Sequence, residues 1–129
     1  MTIKTFLTIN AIPAILYGLA FVLFPGPSSA IFGVASVPQV TLNLQFFGSA
    51  LLALGVIFWL AKDFRDWEPV RGVLIGNVVA DGVGLLVNLR GSLQGLTNAL
   101  AWTSSLVYVL LLAGSFYFLS KAPLDLKSR

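Results

Sequence analysis

The chain contains no cysteine and no histidine, and Met1 is its only methionine. The missing cysteine and histidine exclude thiol redox chemistry, Cys or His metal centres and the usual haem axial ligands. A Ser-His-Asp triad cannot be built without histidine. Charge is also scarce. Only 10% of the 129 residues are charged, against about 25% in soluble domains. Between Lys4 and Lys62 there is no charged residue at all, and a segment of that length cannot form a water-facing surface.

What is present is apolar. Hydrophobic residues make up 57% of the chain, and the mean hydropathy is +0.92. A water-soluble fold of this size could not hide that much apolar surface. Lipid is therefore the expected solvent, and residues 1–129 are read as a single membrane domain. The uncharged stretch fits two spanning helices and a turn, which need roughly 40 apolar residues. The spans are expected at about 5–24, 40–61, 71–89 and 97–120. Continuous apolar runs without alternation predict helices and not a barrel. The first run is longer than the roughly 7–15 apolar residues of a signal peptide, so an uncleaved span is expected.

Punctuation supports these boundaries. Pro25-Gly26-Pro27-Ser28-Ser29 is read as ending the first span, because these residues do not continue a helix. The stretch 30–39 is too short to cross and is expected in the interface, with Ile31, Phe32 and Val34 towards lipid. A charged loop, Lys62 to Pro69, follows the second span, and a short turn, Arg90 to Gly95, follows the third. Short loops make consecutive spans antiparallel neighbours. The expected fold is all-α, a four-transmembrane-helix bundle running up-down-up-down.

Seven of the eight basic residues, Lys4, Lys62, Arg65, Arg71, Lys121, Lys127 and Arg129, fall on the side that holds both termini, and Arg90 alone falls on the other. This bias predicts cytoplasmic termini. The net charge of +3 thus reports topology, not nucleic-acid binding. Trp59, Trp67 and Tyr117 are expected near the inner interface and Trp102 towards the outer one.

The third span carries Gly72, Gly76, Ala80 and Gly84 at intervals of four, and this stripe is read as a helix-packing seam. Gly48 and Gly55 offer a second close approach on the second span. Pro13 is expected to kink the first.

One residue asks for a functional explanation. Asp81 lies ten residues past Arg71, or about 15 Å along a helix, which is mid-membrane. An acid there costs about 2.5–3.5 kcal/mol on insertion scales. Asn77, Asp81, Gly84 and Asn88 share one helical face. Matching depth, Asn10 should meet Asn77, and Tyr17, Ser49, Ser105 and Tyr108 should lie nearest Asp81. Asn43, Gln45 and Asn98 approach the level of Asn88. These residues form a candidate intramembrane polar site. Its functional reading is a proton, cation or ligand site; its structural reading is hydrogen-bonded helix glue.

The pattern Phe24-Pro25, Ile31-Phe32-Gly33 and then Phe47-Gly48-Ser49-Ala50-Leu51-Leu52-Ala53-Leu54-Gly55 resembles the layout of small four-span bacterial membrane proteins of the DoxX-like kind. The resemblance implies a bacterial inner-membrane location and carries over no catalytic residue.

The expected function is a non-enzymatic accessory or structural subunit of a larger membrane assembly. It would have no cofactor and no bound metal, and its partners would be lipid and other membrane subunits or further copies of itself. The alternative is a small transporter or ligand-binding bundle that uses Asp81, since transporter sites lie near the bilayer midplane. A lipid-acting enzyme would need an interfacial site. Asp63, Asp66 and Glu68 are the nearest approach to a cation site, but they are mixed with Lys62 and Arg65.

Overall fold

A computed structural model describes residues 1–121 and Leu126. Lys127 and Arg129, counted above for orientation, lie outside the described residues. The chain forms α1 (Ile3–Leu23), α2 (Pro25–Ile31), α3 (Pro38–Ala61), α4 (Trp67–Leu93) and α5 (Ala101–Lys121). Four of these, α1, α3, α4 and α5, are long and apolar enough to cross a membrane, with 21, 24, 27 and 21 residues. A 21-residue helix is about 31 Å long, close to the roughly 30 Å of bilayer hydrocarbon.

Local chemistry sets the ends. The hydroxyl of Thr2 accepts from the Thr5 amide at 3.1 Å and caps α1. Phe24 leaves the helical region (φ −132°, ψ 55°), as a residue before proline tends to. Pro25 then occupies the start of α2. The proline-rich run does end α1, and it also opens a short helix. A proline at the first helical position loses no hydrogen bond, and Ser29 donates its hydroxyl to the Gly26 carbonyl at 2.9 Å. Pro38 opens α3 in the same way. Pro13 lies inside α1 without ending it. Glu68 in the first turn of α4 and Arg90 in its last both complement the helix dipole.

The helices run up-down-up-down. Lys4 reaches Asp63 beyond the end of α3 (2.7 Å), and the Phe6 and Phe118 rings lie 5.3 Å apart. This places the start of α1, the end of α3, the start of α4 and the end of α5 at one end of the bundle. All four long helices meet there around Phe6, Leu7, Phe58, Val70, Leu74 and Phe118.

Elsewhere the bundle is two close pairs, α1 with α3 and α4 with α5. Glycines let α1 and α3 touch. A Cβ on Gly18 would stand 2.9 Å from the Gly48 carbonyl, and one on Gly48 would stand 2.9 Å from the Gly18 carbonyl. Gly55 is likewise closed in by Ile15. At the far end, Asn98 ties the α4–α5 turn to α2. Its amide nitrogen donates to the Ile31 carbonyl at 2.8 Å, and its backbone N–H donates to Phe32 at 3.0 Å. Gly33, at φ +74°, lies against the Asn98 side chain.

Only part of the expected glycine seam on α4 packs within the chain. A Cβ at Gly72 or Gly76 would meet nothing within 4 Å, whereas one at Gly84 would meet the Tyr108 ring. Ala80 is half-buried. The inward face of α4 is instead Val70, Leu74, Asn77 and Asp81. A spacing of four drifts about 40° per step on a helix of 3.6 residues per turn. The stripe therefore winds from the outer surface at Gly72 to the α5 contact at Gly84.

Candidate intramembrane polar site

The polar site centres on Asn77. Its side-chain nitrogen lies 2.8 Å from Asp81 Oδ2, 2.9 Å from Ser115 Oγ and 3.3 Å from Asn10 Oδ1. Asn10 in turn donates to the Phe6 carbonyl at 2.9 Å. Three helices, α1, α4 and α5, are thus joined through one carboxamide. An amide nitrogen has two hydrogens, so the three acceptors share them, and the longest contact, to Asn10, is the weakest. All four side chains are buried, Asn10 and Asn77 to 3%, Asp81 to 6% and Ser115 to 0% relative exposure. Among the described residues no buried side-chain nitrogen or oxygen lacks a partner. That matters in hydrocarbon, where no water can satisfy a stranded polar group.

A second contact lies further along α4. Asn88 donates to the Ala101 carbonyl and to Ser105 Oγ, each at 2.8 Å. Tyr108 packs over Gly84 between the two polar groups. Asn10, Asn77, Asp81, Asn88, Ser105 and Tyr108 therefore all lie along the interior of the bundle.

Two expected members lie elsewhere. Ser49 is exposed and donates to the Phe46 carbonyl of its own helix. Tyr17 is 52% exposed, and its ring lies tilted against Phe21 at 5.8 Å. Depth alone had matched them to Asp81, but depth does not fix which way a residue faces. In α3, Gly48 and Gly55 are the residues turned to α1. The α3 side chain that does bond across helices is Gln45, which donates to the Val22 carbonyl at 3.0 Å.

Ser115 was not foreseen. The available signal was its register: Ser105, Tyr108 and Ser115 fall at i, i+3 and i+10, one face of α5.

The charged loop is paired. Asp63 accepts from Lys4 at 2.7 Å and from Lys62 at 2.6 Å. These hydrogen bonds hold its carboxyl at about 2, well below the ordinary carboxylate range. Glu68 lies 3.8 Å from Arg71. Among the described residues no three histidine, cysteine, aspartate or glutamate side chains gather as metal ligands.

A cavity of about 190 Å³ lies away from Asp81, between α1, α2 and the start of α5. Tyr17, Ser28 and Thr103 are among its lining residues, and Asp81 is not.

No protein family, curated protein or solved structure matches the chain. Its class follows from the fold: four apolar spans make it an all-α, multi-pass integral membrane protein.

Proposed function

We propose that this chain is a non-enzymatic accessory subunit of a larger membrane assembly, with both termini in the cytoplasm of a bacterial cell and its spans in the inner membrane. The observation that carries this reading is the uncovered face of α4. Gly72 and Gly76 stand in open space. In line with them, Ile75, Val79, Val83 and Leu86 are 45%, 60%, 57% and 69% exposed. A smooth, small-residue surface is what lets a second helix approach closely in a membrane, where apolar burial supplies no force between helices. The sequence pattern that resembles small four-span bacterial proteins agrees with this reading, as does the basic bias towards the terminal side.

On this reading Asp81 is a structural joint. Its bond to Asn77 and the exclusion of the cavity from its surroundings support a packed role over a binding chamber. Affinity purification from mild detergent tests the assembly. The chain should bring down a discrete membrane complex, and Gly76→Leu should release it while the chain itself stays folded. A monomer that co-purifies with nothing contradicts the reading.

The transport alternative draws on one observation, a carboxyl half-way along a spanning helix. Asp81→Asn separates the two readings. It would abolish proton-coupled flux or ligand binding only if Asp81 carries it.

A further inference from the structure

The cavity beside α2 has no part in the accessory-subunit reading, and its chemistry points elsewhere. Helices α1 and α5 approach closely where Phe6 packs on Gly114 and Phe118. Towards the other end they leave a wedge, walled by Ala20 and Phe21 of α1, Phe32 after α2, Leu100 just before α5 and Thr103 in its first turn. The Asn98 contacts to Ile31 and Phe32 cross this end of the bundle.

The wedge is built for an apolar occupant. Its volume of about 190 Å³ exceeds the roughly 150 Å³ of a dry apolar cavity that takes up benzene. Two of its hydroxyl groups spend their hydrogens on backbone carbonyls: Ser28 of α2 donates to Ala20 of α1 at 3.2 Å and Thr103 to Leu100, just before α5, at 2.6 Å. Phe21, Ile31, Phe32 and Leu100 give the remaining wall its apolar character. A buried water would need about 2–4 polar partners, and the hydroxyls left to it are poor ones. The helices on either side face lipid. Leu16 and Leu106, close to lining residues along α1 and α5, are 62% and 59% exposed. The wedge is open on its outer side, where Tyr17, Ile31 and Leu100 of its lining are 52%, 59% and 41% exposed, so hydrocarbon chains are the material at hand to fill it.

We propose that the wedge between α1, α2 and α5 is a binding site for one acyl chain of a bilayer phospholipid. The inference does not depend on the accessory role, because it uses neither the α4 face nor Asp81.

The test reconstitutes the purified protein in phosphatidylcholine vesicles doped with a phosphatidylcholine that carries a diazirine on its acyl chain, and maps the labelled residues by mass spectrometry. Labels should concentrate on Phe32 and Leu100 over the openly exposed Leu86. Ala20→Phe, which fills the wedge, should abolish the label at Phe32 and Leu100 and leave Leu86 labelled. Should Ala20→Phe not fold, Thr103→Leu narrows the opposite wall, and the distribution in the unaltered protein still decides. Uniform labelling of Phe32, Leu100 and Leu86, or labelling unchanged in the filled variant, overturns the proposal. An unlabelled free fatty acid in excess separates the two sources of a chain. Persistence of the phospholipid label supports the proposal, and its displacement overturns phospholipid as the occupant.

Discussion

Asn77 and Asp81, one turn apart on α4, are joined by a 2.8 Å hydrogen bond from the Asn77 amide to Asp81 Oδ2, and the same amide reaches Ser115 on α5 and Asn10 on α1. The carboxyl is therefore not isolated in the membrane. It is one acceptor in a joint that holds three helices.

Removing the donor should cost more than changing the acid. Hydrogen bonds between membrane helices average about 0.6 kcal/mol and reach about 1.7. Asn77→Leu loses all three contacts and should destabilise the detergent-solubilised protein by about 1–3 kcal/mol. Asp81→Asn keeps an acceptor oxygen for Asn77 and should change stability by less than about 1 kcal/mol. Reversible unfolding by steric trapping measures both. A larger loss for Asp81→Asn than for Asn77→Leu would place the centre of the joint elsewhere.

Two sets of glycines should respond in opposite ways. Gly48→Ala puts a methyl group against the Gly18 carbonyl and the Phe21 side chain, and such overpacking costs about 1–3 kcal/mol. Gly72→Ala meets open space and gains helix propensity of up to about 1 kcal/mol. The monomer should thus be weakened by the first and unharmed or strengthened by the second. Thermal unfolding in detergent checks the sign of each.

The loop pairing should be acid-sensitive. The carboxyl of Asp63 is depressed to about 2 by its bonds to Lys4 and Lys62. A depressed carboxyl stabilises the folded form above its ordinary value of 3.8, and that contribution fades as the pH falls from there through about 2. The tether between the start of α1 and the α3–α4 loop should hold at neutral pH and release only in strong acid. An NMR titration of the Asp63 side-chain carbon should give a midpoint near 2 in the parent and a higher midpoint in Lys4→Met, still below the ordinary 3.8 because the Lys62 bond remains. An ordinary midpoint in the parent would contradict the pairing.

Cytoplasmic termini can be read without background, since the chain has no cysteine. In intact cells stripped of the outer membrane, Gln94→Cys should react with an impermeant maleimide, and Asp66→Cys should react only after permeabilisation. The reverse pattern inverts the topology.

The sequence carries the four spans because bilayer thickness imposes length and composition on each of them. Only their ends moved: α4 extends past both expected limits to Trp67 and Leu93, and α5 begins at Ala101. The meeting of Asn10 with Asn77 follows from depth, because parallel helices that enter from one side place equal residue counts at equal levels. Depth could not show that Tyr17 and Ser49 face outward. That depends on which face of α1 and α3 the Gly18–Gly48 contact selects, and such a contact joins residues far apart in the chain. The stripe at Gly72 and Gly76 was legible as a small-residue surface. Its lack of a partner within the chain was not, because four-residue spacing looks the same whether the neighbouring helix belongs to this chain or to another. The α2 helix was hidden by reading proline only as a terminator, although proline also starts helices.

The most direct measurement concerns the outer face of α4. A photo-crosslinking amino acid at Val79, beside the open glycines, should give a discrete higher-mass protein adduct when illuminated in native membranes. The same group at Leu16, which is 62% exposed on α1, should react with lipid alone. An adduct at Val79 that Gly76→Leu abolishes is the predicted result. Lipid adducts alone at both positions would contradict the account of α4 as the surface by which this protein joins a larger assembly.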